Sequence, residues 1–135
     1  MALVRQERPD IASALLHLGA ITIDDRTERQ ASWGLYNQGR REMLINPRIT
    51  DVYDLAALLL HEGQHCLDDQ QGILSPFGSH VDSEMRAYDT EFTWWQKHFP
   101  YGRWDTAHGR DQTFFYRMWK NDYLRAYLTV NEAIG

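Results

Sequence analysis

The stretch Leu55-Ala56-Ala57-Leu58-Leu59-Leu60-His61-Glu62-Gly63-Gln64-His65 decides the fold. An apolar run leads straight into His-Glu-x-x-His and reads as a buried helix. At 100° per residue, His61 and His65 stand only about 40° apart around the axis and one turn apart along it. Two imidazoles on one helical face can ligate one metal ion. Glu62 is rotated away from His61 but still borders that face, within reach of a water held by such an ion. This is the side-chain set that zinc-assisted hydrolysis requires. Gly63 sits mid-helix, where it costs about 1 kcal/mol relative to Ala, and so predicts close approach by another group.

The motif helix is expected to start at Thr50 or Asp51, both good N-caps, and to run to about Leu67 or Asp68. Asp54, Leu58, His61, His65 and Asp68 fall within roughly 80° of one another on its metal-side face. Asp54 or Asp68 can orient an imidazole by accepting its second N–H. Both also fit as ordinary helix-end charges, and the dipole favours Asp54 near the N-terminal end. Cys66 points about 100° away from His65 and reads as a small core residue.

Upstream, Pro9-Asp10 opens a short helix. Ile11, Ala14, Leu15 and Leu18 recur at helical spacing, and Gly19 is its expected stop. His17 falls outside that stripe and reads as exposed. Ala20–Ile23 fits a short strand. Ala31–Tyr36 and Arg41–Ile45 read as two more, joined by the three-residue hairpin loop Asn37-Gln38-Gly39. Pro47 then ends the last strand, because it cannot donate to a ladder. The expected result is a small antiparallel sheet leading into the motif helix.

Downstream, Asp69-Gln70-Gln71-Gly72 breaks the helix, and a second one is expected from Ser79 to about His98. Ser79-His80-Val81-Asp82 resembles a capping box. Val81, Met85, Tyr88, Phe92, Trp95 and Phe99 form a buried stripe that leaves out Trp94. Glu84 lies about 60° from the stripe's centre, at the margin of the core. Tetrahedral catalytic zinc takes three protein ligands and keeps one position open. Glu84 follows His65 by 19 positions, on a helix that the loop can turn back against the first. It is the favoured third ligand, with His80, Asp68 and Glu91 as rivals. After Pro100, the loop Tyr101–Gly109 is rich in binding groups. By type alone, His80, Tyr101, Arg103 and His108 can each stabilise an oxyanion. A final helix over Asp111–Val130 has apolar residues on opposite sides. It therefore packs on the core or offers a homodimer surface.

The 135 residues, 43% hydrophobic, fit a single domain over 1–135. A net charge of −5 argues against nonspecific nucleic-acid or anionic-membrane binding. The one cysteine excludes an intrachain disulfide and fits a reducing, cytoplasmic setting. No signal peptide is visible, and no apolar stretch approaches the roughly 20 residues of a membrane span.

His61-Glu62-x-x-His65 followed by Glu84-Met85-Arg86-Ala87 resembles the gluzincin metallopeptidases, whose pattern is His-Glu-x-x-His with a glutamate ligand on a later helix. The short chain is most similar to the minimal, single-domain minigluzincin type, and the likeness covers roughly residues 31–98. The resemblance implies an α+β, zincin-like fold: a small antiparallel sheet, an active-site helix, a second ligand-bearing helix and a mainly helical C-terminal half. It implies zinc at His61, His65 and Glu84, Glu62 as general base, a peptide or protein substrate, and an edge strand lining the substrate cleft. Thermolysin-like members carry Asp four residues after the ligand Glu. This chain has Tyr88 there, with Asp89 one position later, so the resemblance carries over no partner for the histidines. Two other functions fit the same residues: an inactive or regulatory interaction protein of this fold, and a metallopeptidase toxin or effector with one protein substrate.

Overall fold

A computed structural model describes residues 1–24, 34–73, 80–105, 110–111, 117–118, 121–122 and 125. The chain divides into two compact units, Met1–Gly78 and Ser79–Gly135.

The first unit opens with helices α1 (Ala2–Glu7) and α2 (Pro9–Leu16). Helix α1 lies outside the expected elements; six residues are too few to display a period. Arg8 between them has φ −143° and ψ 87°, a non-helical conformation that ends one helix and opens the other. Pro9 suits the first position of α2, where an N–H has no intrahelical partner anyway. Helix α2 ends at Leu16, capped by His17, which is exposed as expected.

Strands β1 (Ala20–Ile23), β2 (Gly34–Asn37) and β3 (Glu42–Ile45) form one sheet in the order β1-β3-β2. Strand β2 pairs antiparallel with β3, placing Gly34 opposite Ile45 and Asn37 opposite Glu42. Strand β1 runs parallel to β3, from Ala20 beside Glu42 to Ile23 beside Ile45. The sheet is therefore mixed, which corrects the expected antiparallel sheet. A simple meander would centre β2. Here β3 takes the centre because Met43, Leu44 and Ile45 are apolar on both faces and all buried, whereas β1 is exposed along its whole length.

The hairpin is also longer than expected. Asn37 belongs to β2, and Gln38–Arg41 make the turn. The left-handed residue is Arg41, with φ 50°, and not Gly39. Of the strand expected at Ala31–Tyr36, residues 31–33 lie outside the described residues.

Helix α3 (Val52–Gln70) carries the motif. Asp51 caps it, its Oδ1 accepting from the N–H groups of Tyr53 at 2.8 Å and Asp54 at 3.2 Å. The helix extends past its expected end. Gly72, with φ 74°, closes it: Gly72 N–H donates to the Asp69 carbonyl and Ile73 N–H to that of Asp68. This is the pattern by which a left-handed glycine satisfies the last carbonyls.

Within the first unit, α1, α2 and β2 all contact α3. Helix α2 packs on the side of Gly63, where an added Cβ would lie 2.5 Å from Ile11 Cγ2 and 3.4 Å from Leu15. The close approach read from a mid-helix glycine is thus made by α2. Cys66 is fully buried there, its thiol 3.6 Å from the Ala14 carbonyl, in the core role expected of it. Strand β2 passes Leu58, and Gly34 is required because a Cβ would collide with the leucine methyls.

The second unit is built on helix α4 (His80–His98). Ser79, the expected cap, lies outside the described residues. Trp95 is buried as expected, but so is Trp94, at 1% exposure. The single stripe missed it because α4 is buried over a wider arc; the Trp94 ring lies 4.0 Å from that of His98. Strands β4 (Trp104–Asp105) and β5 (Arg110–Asp111) pair antiparallel, so Asp111 belongs to a strand and does not begin a helix. The Arg103 guanidinium lies over the rings of Phe99 at 4.6 Å and Trp95 at 5.3 Å. Within the expected final helix, Arg117, Met118, Asn121, Asp122 and Arg125 are helical. Its apolar stripe, the expected homodimer surface, lies outside the described residues, as does His108.

The protein is thus α+β. Among the described residues, no helix is long and apolar enough to cross a membrane.

Candidate metal centre

The spacing of the motif becomes geometry on α3. His61 and His65 are each 8% exposed, with ring centroids 5.2 Å apart and planes at 78°. Glu84, on α4, is half-buried. His61, His65 and Glu84 each offer one ligand atom, and these atoms all lie within 4.8 Å of one another. The group can hold a metal ion. Two imidazole nitrogens and one carboxylate oxygen suit a divalent first-row metal better than calcium or magnesium, which want more oxygens.

The rivals for the third ligand are occupied otherwise. Asp68 is buried at 1% exposure, and its Oδ1 accepts from the Gln64 amide at 3.0 Å. Glu91 is also buried, and its Oε2 accepts from Trp95 Nε1 at 3.3 Å, one turn along its own helix. The side chain of His80 lies outside the described residues. Of the oxyanion candidates, Tyr101 is fully exposed and Arg103 is stacked on its aromatic neighbours. Asp54 sits in the first turn of α3, the helix-end place that its dipole reading describes.

Glu62 is half-buried beside the histidines. Its Oε2 accepts from the backbone N–H of Tyr36 at 3.1 Å. Tyr36 is on β2, one of the two edge strands of the sheet, and this N–H is directed at α3. The same tyrosine donates its phenol to Asp69 Oδ2 at 2.5 Å, and Gln38 donates its amide to Asp69 Oδ1 at 3.0 Å. Leu58, Glu62 and Asp69 follow at i, i+4 and i+11, within about 40° of one another. Together with the Gly34–Leu58 contact, three bonds therefore fasten β2 along one line of α3, beside the histidine face.

The local field follows from this packing. Burial, and then the bond to Asp69, hold the Tyr36 phenol well above its ordinary range, so it stays a donor. Burial pushes the Cys66 thiol up to about 11. At neutral pH it is a thiol, not the thiolate that a metal would take.

Reading the sequence alone did not single out Tyr36, Gln38, Asp69 or Arg8. Asp69 had a findable signal, since it shares the face of Glu62 once α3 is extended to Gln70. Arg8 had none. Its Nη2 donates to Gln64 Oε1 at 3.3 Å across 56 positions of sequence.

No family model matches this chain, and no curated protein or solved structure matches it either.

Proposed function

We propose that this protein is a small zinc-dependent peptidase, or a closely related amide hydrolase, with a zincin-like core. The observation that carries the reading is the convergence of His61, His65 and Glu84, with Glu62 next to the first histidine on the same helix. His61 and His65 would hold the zinc by ring nitrogens and Glu84 by a carboxylate oxygen. Zinc in such a site supplies Lewis acidity, polarising a carbonyl and making water a stronger acid.

The rest of the chemistry falls to the chain. Glu62 takes the proton of the attacking water and passes it to the leaving amine. The Tyr36 N–H holds one oxygen of that carboxylate, which fixes where the glutamate stands beside the histidines. A peptide laid along the edge of β2 would pass beside Glu62, with main-chain groups of the strand as its guide. A peptide or protein is therefore the proposed substrate.

Metal analysis of carefully purified protein, with Glu62→Gln as the paired variant, tests this. Gln keeps an acceptor for the Tyr36 N–H but cannot carry the proton. About one zinc per chain is expected in both proteins, with turnover of a peptide library lost only in the variant. Absence of zinc, or unchanged turnover in Glu62→Gln, refutes the reading. Zinc without turnover in either protein would favour the interaction-protein alternative.

A further inference from the structure

Asp68 is a carboxylate with almost no solvent access, on the helix that carries both histidines. It follows His65 by three positions, about one turn along the same side of the helix, whereas His61 stands about 10 Å further back along the axis. A buried anion is costly unless something compensates it. Its Oδ1 accepts from the Gln64 amide at 3.0 Å. The carbonyl end of Gln64, itself buried, accepts from Arg8 Nη2 at 3.3 Å. Arg8 also grips Asp10 through Nε and Nη2, both at 3.0 Å. This network runs from the α1–α2 junction into the core of α3 and reaches Asp68.

Charge gives the network a purpose. Two neutral imidazoles and one carboxylate leave a bound dication with one positive charge uncompensated by its ligands. Glu62 is half-exposed and is assigned to proton transfer. Asp68 is a buried carboxyl group on the histidine side of the same helix. We propose that Asp68 is a positioning residue for His65: it orients that imidazole, offsets the charge of a bound metal, and is itself held in place by Gln64 and Arg8. The inference rests on the metal-centre reading above. Gln64 then acquires a role that its place between the two histidines does not disclose.

The test uses the full chain with zinc and cobalt chloride, each titrated against a chromophoric chelator. Asp68→Asn is nearly isosteric and keeps an oxygen for the Gln64 amide, but removes the charge. It is expected to bind zinc about 10- to 100-fold more weakly, with an altered cobalt absorption spectrum at saturation. Loss of fold stability alone would leave that spectrum unchanged. Asp68→Glu is expected to recover part of the affinity. Gln64→Leu, which keeps Asp68 but cuts its tie to Arg8, is expected to weaken binding less than Asp68→Asn. That second variant carries the test if Asp68→Asn fails to fold. Wild-type affinity and spectrum in both Asp68→Asn and Gln64→Leu overturn the inference while leaving the metal centre standing. Failure of the wild-type chain to bind either metal overturns both.

Discussion

Gly63→Ala sets two effects of known size against each other. In an isolated helix the change is favourable by about 1 kcal/mol, because glycine loses the most backbone freedom on ordering. In this fold the new methyl would lie 2.5 Å from Ile11 Cγ2 and 3.4 Å from two Leu15 carbons. The first contact is more than 1 Å inside the usual carbon–carbon separation. Ile11 and Leu15 are both buried, so neither can swing into solvent, and α2 must shift as a body. Overpacking of this kind costs about 1–3 kcal/mol. The expected net is a loss of about 1 kcal/mol, lowering Tm by about 3–5 °C in a domain of this size. Differential scanning calorimetry reads it directly. Pairing the change with Ile11→Ala, which removes the clashing methyl, identifies the cause. The double variant should be more stable than the sum of the single effects, by about 2 kcal/mol of coupling. A raised Tm for Gly63→Ala, or an additive double variant, would refute the claim that glycine is there to admit α2.

Three further outcomes follow from the same structure. Asp51→Ala removes the acceptor of two N–H groups at the start of α3 and should cost about 1 kcal/mol, read as a lower urea midpoint at unchanged m-value. Cys66 has its thiol pKa raised by burial from 9.0 to about 11, so its neutral form is the one folding favours. That contribution is fully present below pH 9 and is lost as pH rises through 11, so stability should fall more steeply over this window in the wild-type chain than in Cys66→Ala. A thiol reagent at neutral pH should accordingly modify the native protein only as fast as it opens. Tyr36→Phe deletes the phenol donor to Asp69 but keeps the backbone N–H to Glu62, and should cost about 1 kcal/mol. In the same variant, ultraviolet titration should lose only an ionisation well above the ordinary phenol range, because that is where burial and the bond to Asp69 hold Tyr36.

Much of this protein is local, and local features are written in short stretches of sequence. The apolar run before His61, the cap at Asp51, the helical repeat of α2 and the glycine after α3 each act within one or two turns. The placing of His61, Glu62 and His65 on adjoining faces follows from helix geometry alone. Even the demand for a close neighbour at Gly63 was legible there. Which element answers that demand was not, because Ile11 reaches Gly63 only through the folded chain. The order β1-β3-β2 was also tertiary: a strand's partner depends on which strand must be buried on both faces, and β3 competes for the centre on the strength of Met43, Leu44 and Ile45 together. Trp94 falls outside a stripe drawn at one period, yet is buried because α4 is covered over a wider arc. The bonds that join Tyr36 and Gln38 to α3, and Arg8 to Gln64, link residues 26 to 56 positions apart. Such contacts leave no period and no motif, since side chains brought together by packing need share only a place. The sequence by itself determined the paired histidines and the glutamate between them. The folded chain decided what stands around them.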